Sequence, residues 1–102
     1  MTDVKQPRTR TIVEATSVLR MPPHIKLRHE AGRGRWIILG PERVFEPDEP
    51  AVAVLKRCDG VRSVTEIVED LSREYDAPAA QIESDVIGMF QELADKGVVV
   101  AA

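Results

Sequence analysis

The chain has 102 residues, 43% of them hydrophobic and 30% charged, which predicts one globular domain with a modest core and excludes a wholly disordered chain. No apolar run approaches the roughly 20 residues that cross a bilayer, and the single cysteine cannot form an internal disulfide, which favours a cytoplasmic protein. The net charge of −3 is unevenly spread, with eight Lys or Arg against three acids up to Arg35 and six against fourteen from Trp36 onward.

Residues 1–22 have the composition of a flexible tail or linker, so the domain is predicted to span residues 23–102. The beginning of the chain is polar, and Met21-Pro22-Pro23 interrupts regular structure. Between these two features, Thr11 to Leu19 predicts either a helical turn or an extended segment. Two interpretations of the whole segment stay open, a flexible lead-in and an arm that docks on or joins another domain.

Three strands are predicted next along the chain. Ile25 and Leu27 alternate with polar neighbours, which indicates a half-buried strand. Two further strands, Trp36–Leu39 and Arg43–Phe45, each follow a glycine-containing turn. Consecutive strands joined by short turns predict a three-stranded antiparallel meander.

Three helices follow, and each has recognisable start and stop signals. The first begins after Asp48 or Glu49 and is predicted to end at Gly60 in a left-handed cap. The second begins with the capping box Ser63–Glu66, and the third is predicted to be capped by Asp76. The fold class is therefore α+β, a small winged-helix-like domain in which the three-stranded antiparallel β-meander is followed by three α-helices.

The sequence contains no pattern that is typical of a metal or catalytic site. His24 and His29 are five residues apart on a strand, a spacing that predicts opposite faces, and Cys58 has no second cysteine to join it. A thiol buried at a helix end is usually inert packing. We therefore predict that the chain is not an enzyme, with no catalytic residue, no metal and no cofactor.

Winged-helix domains often bind DNA, so a DNA-binding regulator is the main alternative function. The third helix occupies the position of a recognition helix, and Arg33 and Arg35 would lie in a hairpin wing. That helix carries four acids, however, and Lys96 is its only base, whereas major-groove helices normally present Arg, Lys, Asn or Gln. The predicted architecture permits DNA binding, but its charge opposes contact with phosphates.

A peptide is the ligand that best suits the predicted surface. The short strand Arg43–Phe45 is flanked by Pro41 and Pro47, and as an edge strand it would leave backbone donors and acceptors unpaired. An extended peptide added at this edge would lay apolar side chains on the third helix. Ile87, which lies off the centre of the apolar stripe of that helix, either contributes to this surface or packs against the tail.

Four motifs carry a resemblance to a known family. They are HIKLRHE, WIILGPERV, KRCDGVRSVTEIV and QELADKGVV, and they occur in this order between His24 and Val100. Together, at these distances, they resemble the PqqD family of coenzyme PQQ biosynthesis proteins.

The resemblance implies a peptide chaperone, the recognition element for a ribosomally made and modified peptide. It implies binding of the precursor peptide PqqA and its presentation to the radical SAM enzyme PqqE, which joins a Glu and a Tyr side chain within PqqA. Association or fusion with another enzyme of the pathway is compatible with it, whereas no nucleic acid and no membrane is an implied partner. The peptide of the family lies as an added strand along the third strand, beside the third helix. Carried over to this chain, the implied peptide-binding residues are Arg43, Val44, Phe45, Glu46, Ile82, Asp85, Val86 and Met89.

Overall fold

The computed structural model describes residues 10–102, which form six strands and three helices around one hydrophobic core. In chain order the elements are β1 (Val18–Arg20), β2 (Lys26–Glu30), β3 (Arg35–Leu39), β4 (Val44–Phe45), α1 (Glu49–Lys56), β5 (Asp59–Ser63), α2 (Val64–Tyr75), α3 (Ala79–Asp95) and β6 (Val100–Ala101). None of the helices in this part of the chain is long and apolar enough to cross a membrane.

The predicted meander is confirmed as one antiparallel sheet in the order β2-β3-β4. Strand β3 pairs with β2 over five residue pairs and with β4 over two, Ile38 with Phe45 and Leu39 with Val44. Strand β4 is shorter than predicted, because Arg43 lies in the turn before it, where its carbonyl accepts a hydrogen bond from the Gly40 N–H.

The structure contains a second antiparallel sheet, in the order β5-β1-β6, which the sequence analysis did not predict. Strand β1 lies in its centre and joins the beginning of the described chain to its end. The Val64 N–H also donates to the Ser17 carbonyl at 2.8 Å, which connects the segment before β1 to the start of α2. This sheet therefore closes the domain through pairings between distant parts of the chain.

The predicted boundary between residues 22 and 23 is wrong for the described part of the chain. Val13 and Leu19 are buried members of the core, and residues 18–20 form the central strand of a sheet. The remainder of the predicted tail, residues 1–9, lies outside the described residues. A strand of three residues is too short to show a clear hydrophobic period. Without that signal, the interpretation as a linker depended on composition alone.

The predicted starts of the first two helices are confirmed by their capping bonds. The Asp48 carboxylate accepts a hydrogen bond from the Ala51 N–H at 3.0 Å, at the beginning of α1. At the beginning of α2, the Ser63 hydroxyl accepts from the Glu66 N–H at 3.2 Å, and the Glu66 carboxylate accepts from the Ser63 N–H at 2.8 Å. These bonds satisfy amides that a helix leaves without internal partners.

Two other predicted helix boundaries are wrong. Helix α1 ends at Lys56, and Gly60 lies within β5, where its φ of +79° accompanies an irregular pairing with β1. Asp76 does not begin α3 but ends α2 in a left-handed conformation, with its N–H donating to the Ser72 carbonyl. Helix α3 instead begins after Pro78, which has no side-chain acceptor to offer as a cap.

Candidate functional site

A groove of about 820 Å³ runs between β4 and α3. Its sheet side is formed by Ile38, by residues 45–48, and by Ala51 at the beginning of α1. Its helix side is formed by residues of α3 and its cap, which are Ser84, Asp85, Gly88, Met89, Gln91, Glu92, Leu93, Asp95 and Lys96. It is larger than the two neighbouring cavities described below.

Within the described part of the chain, the strand at the border of this groove has an unpaired edge. Among residues 10–102, β4 pairs with β3 alone. The Gly40 N–H donates to the Arg43 carbonyl at 2.9 Å, and hydrogen-bonded pairs alternate along an antiparallel ladder, so the N–H and C=O of Val44 point away from β3. Val44 as a whole residue is also 62% exposed. Strand β4 therefore offers backbone groups to another extended segment.

The eight peptide-binding residues that the resemblance implied do not all lie in the groove. Four line the groove, namely Phe45, Glu46, Asp85 and Met89. Val44 lies on the edge strand, and Arg43 lines a smaller cavity of about 390 Å³ that shares Phe45 and Lys96 with the groove. The other two, Ile82 and Val86, line a neighbouring cavity instead. Ile87 packs against the core and lines neither the groove nor that cavity.

The neighbouring cavity, which we call the apolar pocket, has a volume of about 340 Å³ and lies where α1, the end of α2 and the first half of α3 meet. Its apolar lining consists of Pro50, Ala53, Val54, Leu71, Tyr75, Ala77, Ile82, Val86 and Met89. Asp85 and Met89 line both the groove and the apolar pocket, so the two cavities are adjacent along α3.

Gly88 is a groove residue that the sequence analysis missed. It lies in the middle of α3, and a Cβ atom added there would meet nothing within 4 Å. Glycine in a helix interior is about 1 kcal/mol less favourable than alanine, so packing within the domain does not explain this residue. An isolated glycine inside a helical pattern costs helix stability, and this cost is the sequence signal that could have drawn attention to the position.

The groove lining contains five carboxylates and a single basic side chain, that of Lys96. The acidic residues in its lining are Glu46, Asp48, Asp85, Glu92 and Asp95. Three of them are engaged within the fold, since Glu46 accepts from Arg35 at 3.0 Å, Asp48 caps α1, and Asp95 accepts from Arg10 at 2.9 and 2.7 Å. The Arg10 guanidinium lowers the pKa of Asp95 through these bonds. The carboxylates of the other two, Asp85 and Glu92, form no side-chain hydrogen bond or ion pair among residues 10–102, whereas the Glu92 carbonyl accepts from the Lys96 N–H.

The residues weighed as possible chemical groups lie outside this groove. Cys58 is a buried core residue, and burial, assisted by the charge of Asp59, raises the pKa of its thiol to about 11. His24 and His29 are both exposed. No cluster of three or more His, Cys, Asp or Glu side chains suited to a metal ion occurs within residues 10–102.

Comparison with known proteins agrees with this architecture. The family model for Coenzyme PQQ synthesis protein D (PqqD) matches residues 35–99. A PqqA binding protein of Rhodopseudomonas palustris (strain BisB5) is 50% identical over 82 residues, which is 80% of each chain. A PqqA binding protein of Bradyrhizobium diazoefficiens is 46% identical over 96 residues, which is 94% of this chain and 92% of the relative.

A solved structure with the same fold is similar over most of its length. The solution NMR structure of the PqqD truncation of Methylobacterium extorquens PqqCD, described as a recognition element for ribosomally synthesized and post-translationally modified peptides, covers 86% of this chain and 94% of its own, with 40% identity and a TM-score of 0.76. The resemblance carried by the four motifs is confirmed. The chain belongs to the PqqD family.

Proposed function

We propose that this protein is a cytoplasmic peptide chaperone that binds the precursor peptide PqqA in the groove and presents it to the radical SAM enzyme PqqE in PQQ biosynthesis. The observation that carries the proposal is the unpaired edge of β4 beside a groove lined by α3. Relatives named PqqA binding protein, at 46–50% identity, support PqqA as the peptide. The role is binding, without a covalent step.

In this proposal the peptide adds a strand to the free edge of β4. The N–H and C=O of Val44 pair with the peptide backbone, and the side chains of the peptide contact Phe45 and the residues of α3 that line the groove. Each strand hydrogen bond contributes roughly 0.5–1.5 kcal/mol, and each buried apolar side chain roughly 1.5–3 kcal/mol. Ordering a flexible peptide costs roughly 2–5 kcal/mol, so affinities near micromolar are expected, which permit both capture and release.

The charge of α3 argues against the alternative of a DNA-binding regulator. The exposed residues Asp85, Glu92 and Asp95 lie on the face of α3 that borders the groove. A helix that enters the major groove needs basic or amide side chains at such positions, and carboxylates there would repel the phosphate backbone. No feature of the described structure favours a nucleic acid over a peptide.

Nuclear magnetic resonance of the ¹⁵N-labelled protein during titration with PqqA tests where the peptide binds. We expect the largest amide shifts at residues 44–46 and on the groove side of α3, from Asp85 to Glu92. Shifts centred on β2, which forms the opposite border of this sheet, would contradict the proposed site.

Substitution of Val44 tests the pairing itself. Val44→Pro removes the outward N–H without removing a bond to β3, because that N–H points away from β3. The variant loses this donor and leaves a peptide carbonyl unpaired. PqqA binding should therefore weaken by roughly tenfold or more. Val44→Thr keeps the N–H and is the matched control, with affinity close to that of the wild type. Equal affinities of the two variants would contradict strand addition.

Presentation to PqqE needs a separate measurement. The Glu–Tyr cross-link in PqqA is followed by mass spectrometry after incubation with reduced PqqE and S-adenosylmethionine. We expect the wild-type protein and Val44→Thr to raise the yield of cross-linked peptide and Val44→Pro to raise it much less. A yield that is independent of added protein would leave peptide binding intact but exclude presentation.

A further inference from the structure

The groove and the apolar pocket adjoin along α3, and we call the two together the trough. On the helix side, Asp85 and Met89 belong to the lining of both cavities. On the other side, residues 45–48 line the groove, and Glu49 and Pro50, which follow directly in the chain, line the apolar pocket. A ligand that leaves the groove in this direction therefore enters the apolar pocket.

The length of the trough sets the length of its occupant. From Lys96, at one end of the groove, to Ile82, in the apolar pocket, α3 rises by about 21 Å at 1.5 Å per residue. An extended peptide rises about 3.3 Å per residue, so about six or seven residues cover this distance. Strand β4 has only two residues, so side-chain contacts must hold much of the segment.

Charge and polarity vary along the trough in a defined order. Asp85 and Glu92 are seven residues apart, so they lie on the same face of α3, about two turns from each other, with Gly88 between them. Neither carboxylate forms an ion pair among residues 10–102, and Lys96 at the end of the groove is the only basic side chain in the groove lining. Beyond Asp85, the lining becomes largely apolar, and Tyr75 stands at its border with 58% of its surface exposed.

We propose, on the basis of the function proposed above, that the trough selects a segment of the precursor peptide with a basic side chain followed or preceded by a large apolar one. The basic side chain lies opposite Asp85 and Glu92, by charge complementarity. The apolar side chain, aliphatic or aromatic, fills the apolar pocket, whose volume of about 340 Å³ suits one such group. The apolar side chain is the part of the ligand that lies beyond the reach of β4.

One substitution and its matched control test the apolar half of the proposal, with fluorescently labelled PqqA and anisotropy. Ala53→Leu fills the apolar pocket, because Ala53 lines it, and should weaken binding roughly 10- to 100-fold. Ala80→Leu adds the same side chain at an exposed position of α3 that lines neither cavity, and should bind like the wild type. Equal dissociation constants for Ala53→Leu and the wild type would overturn the proposal.

The double variant Asp85→Asn with Glu92→Gln keeps the shapes of both side chains and removes their charge. We expect weaker binding. We also expect a shallower decline of affinity as sodium chloride rises from about 50 to about 500 mM, a range over which exposed charges become screened. An unchanged salt dependence would overturn the proposal. Circular dichroism of each variant verifies that it is folded.

The proposed function and this inference fail in distinguishable ways. If the Val44 amide of the wild-type protein does not shift with PqqA, the proposed groove binding fails. If it shifts but Ala53→Leu binds equally well, only the extended trough fails. An alanine scan of PqqA adds a direct check. At one apolar position of PqqA, substitution by alanine should weaken binding to the wild-type protein but weaken binding to Ala53→Leu little further. Such coupling in a double-mutant cycle is expected of residues in contact.

Discussion

Gly88 offers a test in which stability and affinity should change in opposite directions. It lies inside α3 and faces the groove, and an added Cβ would meet no atom within 4 Å. Gly88→Ala should therefore raise the free energy of unfolding by about 1 kcal/mol, because alanine is the better helix former and nothing has to move. For a domain of this size, 1 kcal/mol corresponds to a rise of roughly 4–8 °C in Tm.

Gly88→Leu should have a similar helix propensity but place four carbon atoms in the path of the peptide. Displacing the added strand by one side chain disrupts about two backbone hydrogen bonds, at roughly 0.5–1.5 kcal/mol each. The expected loss is therefore about 1–3 kcal/mol, or roughly 5- to 150-fold in the dissociation constant. Gly88→Ala adds only one methyl group and should lose much less affinity.

Thermal unfolding followed by circular dichroism and titration with labelled PqqA measure the two effects on the same samples. Ala80→Leu is the matched control, since it adds leucine to α3 outside both cavities. The reasoning would be refuted if Gly88→Leu bound PqqA as tightly as the wild type while remaining folded. It would also be refuted if Gly88→Ala lowered Tm, because the glycine would then have a packing role in the domain.

Three further predictions concern groups outside the groove. The pKa of Cys58 is raised from 9.0 to about 11, which lowers the thiolate fraction roughly 100-fold at pH 8. Iodoacetamide should therefore modify the native protein far more slowly than the urea-unfolded protein. Equal rates would contradict the buried position of the thiol. The hydrogen bond from Arg57 lowers the pKa of Asp70 below 3.8, so its stabilising effect is present above that value and lost as pH falls through the lowered pKa. Unfolding by urea between pH 6 and 2 should accordingly show a smaller loss of stability on acidification in Asp70→Asn than in the wild type. Ser63→Ala removes the cap of α2 and should lower the free energy of unfolding by about 0.5–2 kcal/mol in the same assay, whereas an unchanged value would mean that water replaces the hydroxyl.

Elements specified by neighbouring residues could be predicted from the sequence. The capping box of α2 and the Asp48 cap of α1 are determined within four residues of chain, and both predictions are confirmed. The meander is equally local, because each of its strands follows the previous one through a short turn. Such signals are available without knowledge of the tertiary structure.

The second sheet could not be predicted because its pairings are distant in the chain. Val18 pairs with Ser63, and Leu19 with Ala101, and none of these strands has more than five residues. A short strand with a distant partner leaves almost no periodic pattern of its own. Gly60 illustrates the ambiguity, because its positive φ is compatible with a helix cap and with the irregular pairing of β5 with β1.

Four of the eight residues that the resemblance implied line the groove, and the geometry of α3 explains why the others do not all do so. Ile82, Val86 and Met89 recur at i, i+4 and i+7, and this is the stripe that a search for apolar residues finds. The groove is lined instead by the adjacent stripe, which contains Asp85, Gly88, Glu92 and Asp95. A binding surface has to stay accessible, so its residues are partly polar and are not those that the core buries most deeply. Only the residues at the border of the two stripes, such as Met89, belong to both surfaces, and it is through this border that the apolar pocket joins the groove.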